Sequence, residues 1–127
     1  MVPRHVRIVL VEDNEIFRET LELVLPTRPD VEIEIVASVG DGSEAVAAAL
    51  EHRPDVVLMD YRLPGLDGVQ ATAAVLEALP GVAVVALTAS VSERETEALL
   101  AAGASACLTK DRGRDEIVEA ILGAVAR

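Results

Sequence analysis

Aromatic side chains are almost missing from this chain, which has no tryptophan, one tyrosine (Tyr61) and one phenylalanine (Phe17). That excludes the base-stacking platforms on which single-stranded nucleic acids are held. Positive charge is scarce too: 11 Lys and Arg stand against 22 Asp and Glu, and the net charge of −11 repels a phosphate backbone. The domain by itself is expected not to bind DNA. A single cysteine, Cys107, leaves no internal disulfide framework and suits a reducing, cytoplasmic setting. Apolar runs such as VAVVAL (82–87) fall far short of the ~20 residues that cross a bilayer. No membrane span is expected, and the opening MVPRHVRIVL carries no signal-peptide apolar core.

What is present is a hydrophobic content of 51% over 127 residues, enough to fill one core, so residues 1–127 are expected to form one domain. Short β-branched runs at 6–11, 31–37, 55–60, 82–87 and 105–109 alternate with stretches of helical period at 14–26, 42–53, 67–79, 92–103 and 114–126. Start signals agree with the helices: Ser92 with Glu95 reads as a capping box, and Asp67 with Gln70 as a near relative. Stops fall at Pro26, Pro54, Pro80 and Gly103. The third and fourth strands are nearly all apolar, as parallel strands covered on both faces must be. The second alternates Val31, Ile33 and Ile35 with Glu32 and Glu34, an edge pattern. Five βα units therefore predict a doubly wound α/β fold, a five-stranded parallel sheet of order 2-1-3-4-5 in a flavodoxin-like three-layer sandwich.

In such sheets ligands sit beyond the carboxyl ends of the strands, at the switch point between strands one and three. The residues expected at those ends are Glu12 and Asp13, then Asp60, Thr88 and Lys110, while the edge strand offers Ser38. Taken singly each has an ordinary reading: a solvated strand end, a turn aspartate, a strand threonine, a snorkelling lysine. Together they place three carboxylates side by side, which would repel one another unless a cation joined them. All-oxygen donors in a shallow site favour Mg²⁺. With the charge so screened, a carboxylate can act as nucleophile toward a phosphoryl group, Lys110 and the Thr88 hydroxyl binding its oxygens. Pro64 and the neighbouring glycines keep the loop after Asp60 stiff, so that a backbone carbonyl near Arg62 can complete the metal's shell.

The segments VLVEDN (9–14), VVLMDYRLPGLDG (56–68), VVALTAS (84–90) and GASACLTKD (103–111) together resemble the receiver domain of bacterial two-component response regulators over nearly the whole chain, most closely the NarL/FixJ-type subfamily. The resemblance implies that Asp60 is phosphorylated by a sensor histidine kinase. It implies that Glu12 and Asp13 hold Mg²⁺ directly or through water, and that Thr88 and Lys110 bind the phosphoryl group. It also implies transcriptional output through a helix-turn-helix domain that lies outside this sequence, with a phosphorylation-dependent homodimer as the active form. Such a protein is not an enzyme beyond its own phosphorylation and dephosphorylation. Phe17, Arg18 and Arg112 are candidate kinase contacts at the rim. His5 and His52 lack sequence partners at metal-ligand spacing and read as surface residues.

Two departures stand out. Cys107 occupies the place where receivers usually carry the aromatic that follows the threonine inward, and Asp111 follows the lysine where a cis-proline is common, so a trans bond is expected. Among rivals, GDGSEA (40–45) fits the G-x-G-x-x-A pattern of a dinucleotide-binding oxidoreductase domain. Asp41 beside a pyrophosphate and the position after an edge strand count against it. An aspartyl phosphatase would want an acid where Arg62 stands, and the intact acidic set counts against a phosphorylation-independent pseudo-receiver.

Overall fold

The β-branched runs fold as five parallel strands. A computed structural model describes residues 5–90 and 92–126: β1 His5–Val11, α1 Glu15–Val24, β2 Glu32–Val39, α2 Ala45–His52, β3 Val56–Asp60, α3 Gly68–Ala78, β4 Ala83–Thr88, α4 Glu93–Ala101, β5 Ala106–Thr109 and α5 Arg114–Val125. The sheet order is β2-β1-β3-β4-β5, as the alternation of patterns predicts. Every residue of β3 is buried, because helices cover both faces.

Alternation along the strands sorts the core into two layers. Ile8, Leu10, Leu58 and Leu87 face α1 and α5, where Leu21, Leu25, Ile117 and Ile121 meet them. Val9, Val57, Met59 and Ala86 face α2, α3 and α4, which supply smaller side chains such as Ala45, Ala49, Ala71 and Val75, together with Leu99. Each fully buried aliphatic side chain contributes roughly 1.5–3 kcal/mol.

The element ends differ from the sequence reading in ways that have local causes. Asn14 caps α1 rather than joining it, its side chain accepting from Phe17 N. The α-helix ends at Val24, just before Pro26, which lies within a 3₁₀ turn, Leu25–Thr27, that follows α1. Strand β2 runs past Ala37 to Val39, since Glu12 N donates to Val39 O at 2.9 Å. A register shift between Ile8 and Val9 accommodates the extra residue. Ser38 is therefore inside the strand, not at its end, and its hydroxyl donates to Glu22 at 2.7 Å. The segment expected to open the second helix forms a separate 3₁₀ turn, Gly42–Glu44, capped by Asp41. Asp67 and Gln70 make a full capping box for α3. Ser92 and Glu95 make only half of one: Ser92 accepts from Glu95 N, while the Glu95 carboxylate lies 3.9 Å from the Arg62 guanidinium. No cis peptide bond occurs among the described residues.

Candidate functional site

Hydrogen bonds continue past the strand ends and fix the backbone from which the site is built. Tyr61 N donates to Leu87 O at 3.0 Å and Lys110 N to Thr88 O at 2.7 Å, as Glu12 N does to Val39 O. The side chains of Glu12, Asp13 and Asp60 thereby converge, offering carboxylate oxygens within 4.8 Å of one another. Glu12 and Asp60 are buried and Asp13 is exposed. Lys110 bridges the two buried acids, its ammonium 2.8 Å from Glu12 Oε1 and 3.3 Å from Asp60 Oδ1. A cavity of about 390 Å³ opens beside them, lined in part by Asp13, Asp60, Arg62, Ser90, Glu95 and Lys110.

Burial pushes the Asp60 carboxyl up to about 7, the Glu12 charge adding to the shift and Lys110 opposing it. One lysine cannot neutralise three carboxylates, so charge is left over. Glu12 Oε1 is buried, and the cation nearest it is the Lys110 ammonium at 2.8 Å, which it shares with Asp60. Unused acceptor capacity in an all-oxygen cluster beside open space fits a hard divalent cation, with Glu12, Asp13 and Asp60 able to hold it.

The remaining expected residues are placed with less uniformity. Thr88 is buried at the end of β4, but its hydroxyl donates to Ser90 O at 3.0 Å rather than standing free toward Asp60. The Arg62 side chain is 79% exposed and points to Glu95, so any part in metal binding falls to its backbone carbonyl. Val91, within the loop after Thr88, lies outside the described residues. Phe17 and Arg18 are half-buried and work inward: the Lys110 ammonium sits 4.8 Å from the Phe17 ring centroid, and Arg18 Nη1 donates to Glu12 O at 3.2 Å. The exposed apolar residue at the start of α1 is Ile16, at 78%. Arg112 is exposed and pairs with Glu116 at 2.9 Å.

Sequence reasoning missed the lysine's aromatic support because Phe17 and Lys110 lie on opposite ends of the chain. It also missed His5, whose ring lies 2.9 Å from Glu34 and 3.6 Å from Glu32 across the β1–β2 ladder, all three exposed. His52 stands beside Glu51 at 2.9 Å. Cys107 is half-buried, 3.9 Å from the Thr96 hydroxyl, and burial pushes its thiol up, away from the reactive thiolate.

A parallel sheet whose strand ends deliver acids, a hydroxyl and a lysine to one rim defines a class of phosphoryl-handling α/β domains. Within it, the chain belongs to the response regulator receiver domain family, whose pattern it matches over residues 8–122. It is similar to the transcriptional regulatory protein DegU of Brevibacillus brevis, 35% identical over 116 residues that make up 91% of this chain and 48% of that protein. Among solved structures it resembles the signal receiver domain of NarL from Mycobacterium tuberculosis, 35% identical, with a TM-score of 0.89 and 98% of each chain covered. It also resembles the receiver domain of the sensor histidine kinase PA1611 from Pseudomonas aeruginosa PAO1, solved with a magnesium ion in its active-site cleft. That match is 33% identical with a TM-score of 0.82, covering 97% of this chain and 99% of the other. The chain spans about half the length of the curated relatives it matches, 48%, 56% and 52% of the first three. No helix among the described residues is long and apolar enough to cross a membrane.

Proposed function

We propose that this domain is a phosphoryl-accepting switch in which Asp60 takes a phosphoryl group from the phosphohistidine of a sensor kinase. The observation that carries this reading is the convergence of Glu12, Asp13 and Asp60 within 4.8 Å, with Lys110 between two of them. Glu12, Asp13, Asp60 and the Arg62 backbone carbonyl would hold Mg²⁺, which when bound screens the repulsion between carboxylate and phosphate and so permits the attack. An Asp60 carboxylate oxygen forms the new bond to phosphorus. The phosphorus–nitrogen bond to the donor imidazole breaks, and the nitrogen keeps the electron pair. Lys110 follows the charge onto the phosphoryl oxygens. The Thr88 hydroxyl must leave Ser90 O to do the same, and that exchange pulls on the loop after β4. Water attack on the aspartyl phosphate resets the switch.

Kinase docking fits the rim formed by the start of α1, where Ile16 is the exposed apolar residue, and the β5–α5 loop, where Arg112 is exposed. Phe17 and Arg18 support the site from within. Output is transcriptional, in the cytoplasm, through a DNA-binding output domain outside this sequence and a phosphorylation-dependent homodimer. Wild type incubated with acetyl phosphate and Mg²⁺ is expected to gain one phosphoryl group by intact mass, labile to hydroxylamine, and Asp60→Asn to gain none. Stoichiometric, hydroxylamine-labile phosphate on Asp60→Asn would overturn the assignment.

A further inference from the structure

The GDGSEA segment takes no part in the chemistry above, yet it presses on the loop that leaves Asp60. Gly42 N donates to Pro64 O at 3.0 Å. A Cβ on Gly42 would lie 1.8 Å from Leu66 O and 2.7 Å from Leu66 C, so no other residue fits without moving backbone. Contact runs the other way as well. Gly65 adopts φ +77°, and a Cβ there would lie 2.0 Å from Asp41 Oδ1. That carboxylate oxygen is itself fixed, accepting from Ser43 N at 2.8 Å and Ser43 Oγ at 2.7 Å.

Farther along, the same loop is pinned at its exit. Gly68 N donates to Tyr61 O at 2.8 Å, and Asp67 and Gln70 close their capping box. The stretch from Arg62 to Asp67 is thus held at its apex by the β2–α2 turn and at its end by α3. The apex contacts to Pro64 and Leu66 are backbone against backbone, which cannot yield as a side-chain tip does. On its open side the loop presents Arg62 to the cavity shared with Asp13 and Asp60.

We propose that the β2–α2 turn, through Gly42 and Asp41, is a positioning brace for the Asp60 loop that sets the divalent-ion affinity of the phosphorylation site. A donor carbonyl held in place before the ion arrives costs no ordering when the ion binds, and a released one does. The turn touches neither ion nor phosphoryl group and acts only by fixing the Arg62 backbone. The proposal rests on the metal reading above.

Amide hydrogen exchange and calorimetric Mg²⁺ titration of Gly42→Ala, Asp41→Ala and Gly81→Ala test it. Gly81 is the control, since a Cβ there meets nothing within 4 Å. Gly42→Ala is expected to speed exchange at the amides of residues 62–67 and to weaken Mg²⁺ binding roughly 10- to 100-fold, the range seen when supporting groups around a metal are lost. Phosphorylation from acetyl phosphate should recover at saturating Mg²⁺. A failure of metal affinity is then separated from a failure of chemistry. Asp41→Ala should show the same pattern more weakly, and Gly81→Ala neither change. Unaltered Mg²⁺ affinity in folded Gly42→Ala overturns the proposal, and so does an equal loss in Gly81→Ala. If Gly42→Ala does not fold, unaltered exchange and affinity in Asp41→Ala overturn it. Wild type that binds no Mg²⁺ removes the metal reading, whereas unchanged exchange with weakened binding removes the brace alone.

Discussion

The two ends of the sheet handle charge in opposite ways. At the amino end, Arg7 N donates to Asp55 Oδ2 at 2.9 Å and Arg7 Nη1 donates to Arg53 O at 3.0 Å. The carboxylate there receives a backbone N–H, and the guanidinium satisfies a carbonyl freed by the left-handed turn at Arg53, φ 46°. At the carboxyl end two buried acids share one lysine while a third stands beside them. The amino end is arranged for stability. The carboxyl end gives stability up, because acids kept close and under-neutralised are what make a cation and a phosphoryl group welcome.

The sharpest way to break this comparison is to remove the shared cation. Lys110→Met keeps the aliphatic stem and leaves Glu12 and Asp60 uncompensated. At pH 8 without Mg²⁺ it should lower the unfolding free energy by about 3 kcal/mol in urea titrations. At pH 5 the loss should be smaller but not absent, because the Asp60 carboxyl, pushed up to about 7, then carries its proton, while the Glu12 contact at 2.8 Å is still lost. A loss of the same size at both pH values would show that the lysine's contact with Asp60 contributes nothing to it.

Asp60→Asn is the next largest effect and has the opposite sign. The folded-state value of about 7 lies above the ordinary carboxylate value of 3.8, so the folded chain binds this proton more tightly than the unfolded one. Stability from that difference is complete below the unfolded value and is lost as pH rises through about 7. Asparagine is neutral throughout and suffers no such loss. The variant should therefore exceed wild type by about 1 to 2 kcal/mol at pH 8 and match it near pH 4, with a flatter profile between. Wild-type stability that rises from pH 5 to 8 would contradict the electrostatic account of this end.

The sequence made the carboxyl end legible and the amino end nearly invisible. Glu12, Asp13, Asp60, Thr88 and Lys110 stand out because strand periodicity says where each strand stops, and parallel topology brings those stops together. The strand order itself follows from one polar alternation, Glu32 and Glu34, on an otherwise apolar set of strands. What stayed hidden depends on contacts far apart in the chain: Phe17 under Lys110, Gly42 against Leu66, His5 beside Glu34. Phe17, which the sequence leaves open between core and kinase contact, packs against the core, and Arg18, expected at the rim, turns inward to Glu12 O. Ser92 and Glu95 had the spacing of a capping box. Glu95 turned to Arg62 instead, a competition that sequence spacing cannot weigh.

At the amino end, Asp55→Ala sharpens the contrast. It removes the acceptor for Arg7 N and should cost about 1 kcal/mol, the ordinary value of a hydrogen bond near the surface. Its effect should be level between pH 6 and 9, and Mg²⁺ affinity measured by titration should not change. A shift in Mg²⁺ affinity would mean that the two ends are coupled through β3, and the division drawn here would fail.

The smallest effect is expected away from both ends. Thr72 lies in α3, fully buried, with no hydrogen-bond partner for its hydroxyl. An orphan hydroxyl in an apolar layer loses its water and gains nothing in return. Valine has nearly the same shape and a comparable helix propensity, so Thr72→Val exchanges the hydroxyl for a methyl without opening a cavity. The variant should gain about 0.5 to 1 kcal/mol in urea titrations at any pH between 6 and 8. Phosphorylation and Mg²⁺ affinity should stay at wild-type values, because Thr72 contributes no ligand and no backbone contact to the Asp60 loop. That outcome would separate a polar group with only a structural cost from the acids at the rim, whose cost is tied to chemistry. A loss of stability in Thr72→Val would instead mean that the hydroxyl finds a partner in solution, and α3 would then hold a buried polar contact of its own.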